Sequence, residues 1–133
     1  MEETLAENEV TLDLLESVFK GAHLPAGRTA DGGLLIRHGG INTLVMVDAK
    51  WKRIMLFAIL RFTIGCSDAT ALALINTLNA RMILTRFALH RPRMLWCDHQ
   101  SLYAGGITPL QIVRTYKRFV DVRRGTTRLV PPT

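Results

Sequence analysis

Apolar residues at Val10, Leu14, Leu15, Val18, Phe19 and Ala22 recur at helical spacing and predict an amphipathic helix over Val10–Lys20. Asn8 or Thr11 is placed to cap it, and Gly21 to stop it. The pattern then changes to β. Asp31-Gly32-Gly33 reads as a turn, Leu34–His38 as a strand closed by Gly39-Gly40, and Thr43–Asp48 as a second strand. After a turn at Ala49–Lys52, Arg53–Ile64 is a long third strand.

The third strand departs from simple alternation. Its even positions, Ile54 to Ile64, are all apolar, but Met55, Phe57 and Ile59 make the other face apolar as well. A sheet with one wet face alternates apolar and polar residues. Two arrangements satisfy the doubly apolar stretch. Either elements of this chain cover both faces, or a second subunit or partner covers one. Met55, Phe57 and Ile59 are therefore the candidate protein interface.

The remaining chain predicts a helix over Ser67–Met82, a hairpin of Ile83–Leu89 and Met94–Asp98, and a last helix. In the hairpin, Phe87 and Leu89 share one face, as do Leu95 and Cys97; Met94 and Trp96 share the opposite one. Asn76 and Asn79 are mediocre helix formers three residues apart. They predict side-chain amides partnered with backbone groups of a neighbouring strand. Thr108-Pro109-Leu110-Gln111 is a capping box with proline at the first helical position. Ile112, Val113, Tyr116, Phe119 and Val120 form the buried stripe of this helix, and Gly125 is read as its end. The order α-β-β-β-α-β-β-α defines an α+β fold: an antiparallel sheet packed with helices, in a single domain over 1–133 with residues 1–8 and 126–133 as loose ends.

Composition narrows the function more by exclusion than by signature. The longest apolar run, Ile54–Leu60, is too short for a spanning helix of ~20 residues, and the acidic, polar N-terminus is unlike a signal peptide. A cytoplasmic protein without membrane contact is expected, and Cys66 and Cys97 are expected as reduced, partly buried thiols. His23, His38, His90 and His99 show no helical metal-ligand spacing. Asp98 and His99 are adjacent on a strand, so they point to opposite faces and make no dyad. Ser17, Ser67 and Ser101 lie outside any GxSxG elbow, and neither glycine pair has phosphate-loop spacing. Gly105-Gly106 reads as a tight turn of positive φ before the last helix. No catalytic, cofactor or metal residues are assigned, and the protein is expected not to be an enzyme.

Charge adds one alternative. The net charge is +6, yet residues 1–20 hold six carboxylates against Lys20, while the rest holds 16 basic groups and five acidic ones. A basic body of this kind attracts nucleic acid or an acidic protein surface. Trp51 between Lys50 and Lys52 is the local match to nucleic-acid stacking chemistry.

The segment INTLNA with Asn79, then Arg86-Phe87, a hairpin, and Gly105-Gly106-Ile107-Thr108 leading into a helix with Phe119, resembles the YbjN family of bacterial sensory transduction regulators. The resemblance implies a fold like that of the type III secretion chaperones. It also implies a homodimer with an unidentified protein partner and a chaperone-like or regulatory role without a reaction. Under it, Asn76, Asn79, Phe87, Gly105, Gly106 and Thr108 are family-motif residues with structural roles. The leading expectation is thus a non-catalytic protein-binding module. Nucleic-acid binding through the basic body is the alternative.

Overall fold

A computed structural model of the chain describes residues 3–61, 67–81, 85–91 and 94–127. Its elements are α1 (Leu12–Gly21), β1 (Ala26–Arg28), β2 (Leu34–His38), β3 (Ile41–Asp48), β4 (Arg53–Arg61), α2 (Asp68–Arg81), β5 (Arg86–Arg91), β6 (Met94–Leu102) and α3 (Pro109–Thr127). Six strands form one antiparallel sheet in the order β1-β2-β3-β4-β6-β5. The α+β reading holds, with four strands before α2 rather than three. The added strand, β1, is three residues long and pairs with β2 from Ala26↔Ile36 to Arg28↔Leu34.

Local chemistry sets the boundaries. Thr11, not Asn8, caps α1, its hydroxyl accepting from the Leu14 amide at 3.2 Å. The end of α1 is closed by His23, whose φ of 62° lets its amide return to Lys20 and the Leu24 amide to Phe19. Gly39 and Gly40 both take positive φ, the requirement of a two-residue hairpin turn between β2 and β3. Ser67 caps α2 through the Thr70 amide at 3.1 Å. The α3 capping box forms in both directions: Thr108 Oγ1 accepts from the Gln111 amide at 3.1 Å, and Gln111 Oε1 accepts from the Thr108 amide at 2.8 Å. Gly125 does not end α3. It keeps a negative φ, and the helix runs to Thr127.

The N-terminal segment, read as loose from sequence, is tied to the body. Leu5 and Ile107 exchange backbone hydrogen bonds at 2.8 and 3.0 Å, and a single 3-10 turn follows at Glu7–Glu9. Residues 62–66, with Cys66, Phe62 and Ile64, and the tail from 128 onward lie outside the described residues.

The core lies between the helices and one sheet face. Leu34, Ile36, Thr43, Val45, Ile54, Leu56, Ala58, Leu95 and Cys97 are buried there. Leu15 and Phe19 of α1, and Ile112, Tyr116, Phe119 and Val120 of α3, pack over them. Phe19 meets Tyr116 edge-on, with ring centroids 5.5 Å apart. α2 adds Ala71, Ile75 and Leu78 beside β5 and buried Phe87.

Candidate functional site

Register decides what the second sheet face presents. In β4, Ile54, Leu56 and Ala58 are buried, and Met55, Phe57 and Ile59 alternate with them on the opposite face. Among the described residues no helix covers that face. Of the two arrangements open from sequence, coverage on both sides by the described elements of this chain is therefore excluded. Pairing of β4 with β3 sets Leu44 opposite Phe57 and Met46 opposite Met55; pairing with β6 sets Trp96 opposite Ile59. The candidate residues Met55, Phe57 and Ile59 thus sit in a strip that is apolar toward β3 at Met55 and Phe57 and toward β6 at Ile59, with Gln100 and Asp98 of β6 opposite Met55 and Phe57. Phe57 and Trp96 make an edge-to-face contact at 6.0 Å.

Part of the strip forms the floor of an open groove of about 550 Å³, whose lining includes Leu35, Leu44, Met46, Phe57, Ile59 and Trp96; Met55 lies outside that lining. Met46 and Ile59 remain 43% and 45% exposed. The broken alternation of β4 singled out Phe57 and Ile59 of this lining, together with Met55 outside it. Sequence reading missed Leu35, Leu44 and Met46, because only the strand order brings them beside Phe57. The shared face of Met94 and Trp96 was readable, but its adjacency to Ile59 was not.

Polar groups flank this strip in defined pairs. Arg86 makes a forked contact with Asp98, at 3.0 and 3.3 Å. Arg53 donates to Asp48 at 2.9 Å and to Gln100 at 2.8 Å. Burial raises the Asp48 carboxyl, but Arg53 and the turn amides of Trp51 and Lys50 outweigh it and leave its pKa below the usual value.

The other singled-out residues lie away from the groove. Asn79 bonds the backbone of Phe87 in both senses, the role predicted for it, whereas the Asn76 side chain makes no such bond with a described residue. Gly105 and Gly106 have φ of 83° and 116°, and the Gly105 amide donates to the Glu7 carboxylate at 2.9 Å. That turn is occupied by the chain's own anion. Asp98 and His99 face opposite sides: Asp98 holds Arg86, and His99 lies 3.2 Å from Ser101 Oγ. Cys97 is buried, its Sγ 3.5 Å from the Ala58 carbonyl. Among the described residues no group of three or more His, Cys, Asp or Glu side chains is placed to hold a metal ion. No described helix is long and apolar enough to cross a membrane. Trp51, 64% exposed, carries the Lys50 ammonium 5.5 Å from its ring centre. It is one aromatic at one turn, whereas base stacking uses successive platforms.

Two solved structures share this fold. YbjN from E. coli superposes with a TM-score of 0.73 at 13% identity, covering 88% of each chain. A chain of the ExsC-ExsE complex superposes at 0.68 and 17% identity, covering 90% of this chain and 92% of that one. No protein of curated function matches the sequence. The sequence matches the family TY-Chap1 over residues 6–129. With nearly the whole chain matched and the sheet, helices and open face in place, the protein belongs to TY-Chap1, the family of T3SS (YopN, CesT) and YbjN peptide-binding chaperones.

Proposed function

We propose that the protein is a non-catalytic, cytoplasmic adaptor that captures an extended segment of another protein on the open face of its sheet. The observation that carries this reading is the uncovered strip of Leu44, Met46, Met55, Phe57, Ile59 and Trp96 over three adjacent strands. Contiguous exposed apolar surface marks an interaction site. Each large anchor side chain removed from water on such a surface contributes roughly 1.5–3 kcal/mol before the costs of ordering.

The kind of residue supports a peptide rather than a single rigid ligand. Met46 and Met94, which line the groove, are unbranched and polarisable, so the floor can refit to different apolar side chains. Phe57 and Trp96 supply fixed rings beside them. Family membership and the likeness to a structure named as a complex point the same way.

The test compares the protein with Phe57→Asp in binding to an array of short peptides carrying several large apolar residues, read by Trp96 fluorescence. Circular dichroism checks that the variant is folded. Loss of binding in a folded variant supports the reading, and unchanged binding moves the site elsewhere. Sedimentation of both proteins is the control for a second copy. A wild-type dimer that Phe57→Asp splits, without any peptide capture, would assign the strip to the homodimer instead.

A further inference from the structure

The groove has one cationic end, and we infer that it selects segments in which an acidic side chain lies next to the apolar anchors, read by arginines beside the Gly39-Gly40 turn. This inference rests on the peptide-capture reading and narrows its partner to acidic-apolar segments.

The charges around the groove are unevenly satisfied. Toward the β3–β4 turn, Arg53 is held by Asp48 and Gln100. At the β5 side, Arg86 is held by Asp98. The Gly39-Gly40 end differs. Arg123 of α3 lines the groove, and its Nη2 donates to the Ile59 carbonyl at 3.3 Å, which fixes the guanidinium beside the apolar floor. Arg37 of β2 pairs in register with Asn42, and both Asn42 and Leu35 line the groove. Arg37 is exposed and forms no ion pair with a described residue.

Arg124 completes the group. A Cβ at Gly39 would fall 1.6 Å from Arg124 Nη2, so the bare turn is what allows that guanidinium to lie over it. Its described ion pair, to Asp121, is loose at 3.8 Å. Among the described residues, Arg37 and Arg124 against Asp121 leave this end with an excess of positive charge, next to a low-dielectric apolar floor where charge pairing is stronger than in bulk water. Guanidinium groups stay charged and grip carboxylates in a fork. Arg53 and Arg86, already paired, offer an incoming carboxylate less.

The experiment uses the full chain and a short, C-terminally amidated peptide with Leu, Phe and Met anchors. It is made in three forms that differ only in the flanking residues: Glu, Gln or Lys. Amidation removes the terminal carboxylate, so binding reports the side chains. At low salt the Glu form is expected to bind about tenfold more tightly than the Gln form, and the Lys form more weakly than either. High salt shrinks the preference, because these groups are partly exposed. In the double variant Arg37→Ala, Arg124→Ala, both at exposed positions, the Glu preference over Gln falls to about twofold. Equal affinity for all three forms, still abolished by Phe57→Asp, would overturn the charge selection and leave the groove standing. A Glu preference seen only with a free C-terminus would also overturn it, by assigning the arginines to a chain end. Binding of all forms that ignores Phe57→Asp, or binding of none, would remove the groove reading itself and this inference with it.

Discussion

Asn79 of α2 holds both backbone groups of Phe87: its Oδ1 accepts from the Phe87 amide at 2.9 Å, and its Nδ2 donates to the Phe87 carbonyl at 3.1 Å. β5 is an edge strand, and an edge presents unpaired backbone groups that recruit other chains. One carboxamide here does what a seventh strand would do at that residue. Asn79→Ala leaves both groups without this partner and is expected to destabilise the fold by about 2 kcal/mol. Asn79→Asp keeps the acceptor but sets a carboxylate against the Phe87 carbonyl, so it is not a rescue. Asn76→Ala, at an exposed position of the same helix, is expected to stay within about 0.5 kcal/mol of wild type. Urea titrations of the three variants check this.

That relationship also shows how far sequence carries. The presence of Asn79 in a helix signalled a backbone partner, because asparagine is otherwise a poor choice there. Asn76 sent the same signal but makes no such bond with a described residue, because it lies one helical turn further from the α2 end that leads to β5. α3 was legible because Thr108, Pro109 and Gln111 state its start in local chemistry. β1 was not. Ala26-Gly27-Arg28 holds no β-former, and the strand exists through backbone pairing with β2. Met55, Phe57 and Ile59 were singled out because their apolarity breaks the alternation of β4, and of the three Phe57 and Ile59 line the groove. Its rim depends on β6 lying between β4 and β5, a nonlocal fact that no short window contains.

Phe19 and Tyr116 join α1 to α3 inside the core, and both side chains are fully buried. Phe19→Ala leaves a cavity against an aromatic neighbour and is expected to cost about 3–5 kcal/mol, a large part of the stability of such a domain. Tyr116→Phe keeps the ring and removes a hydroxyl that lies beside buried Thr43. Burial raises the Tyr116 pKa, with the Thr43 hydroxyl and Arg124 pulling it back. The phenol is neutral at physiological pH, and its loss is expected to cost no more than about 1 kcal/mol. Thermal melts of the two variants, side by side, separate ring packing from the contribution of the hydroxyl.

Gly106 is the point at which the N-terminal segment crosses the turn before α3. Its φ is 116°, and a Cβ there would meet the Leu5 carbonyl oxygen and the Thr4 methyl at 2.9 Å each. Gly106→Ala is therefore strained by backbone angle and by contact, and is expected to destabilise by roughly 1–3 kcal/mol. Gly21→Ala sits in a helix with open space around the new methyl, and is expected to be neutral or slightly stabilising. Amide exchange gives a local signature: Leu5 and Ile107, which exchange backbone hydrogen bonds, lose protection in Gly106→Ala and keep it in Gly21→Ala.

Cys97 tests the helix-covered side of the sheet independently of binding. Burial pushes its thiol up from 9.0 to about 12, partly offset by Arg123. The thiolate is the reactive form. At pH 8 the folded protein should therefore present roughly a thousandfold less thiolate at Cys97 than an unfolded chain does. Alkylation with iodoacetamide, followed by peptide mapping, should leave Cys97 unmodified in buffer and fully modified in urea. The sign of the pH effect follows from the same shift. A group whose pKa is raised by folding stabilises the fold below its unfolded value and loses that contribution as pH climbs through its folded value. The Cys97 contribution to stability should thus be intact below pH 9 and decline between pH 9 and about 12. Cys97→Ala should remove that part of the alkaline loss. Rapid alkylation of Cys97 in buffer, at the rate seen in urea, would mean that α3 does not seal this side of β6.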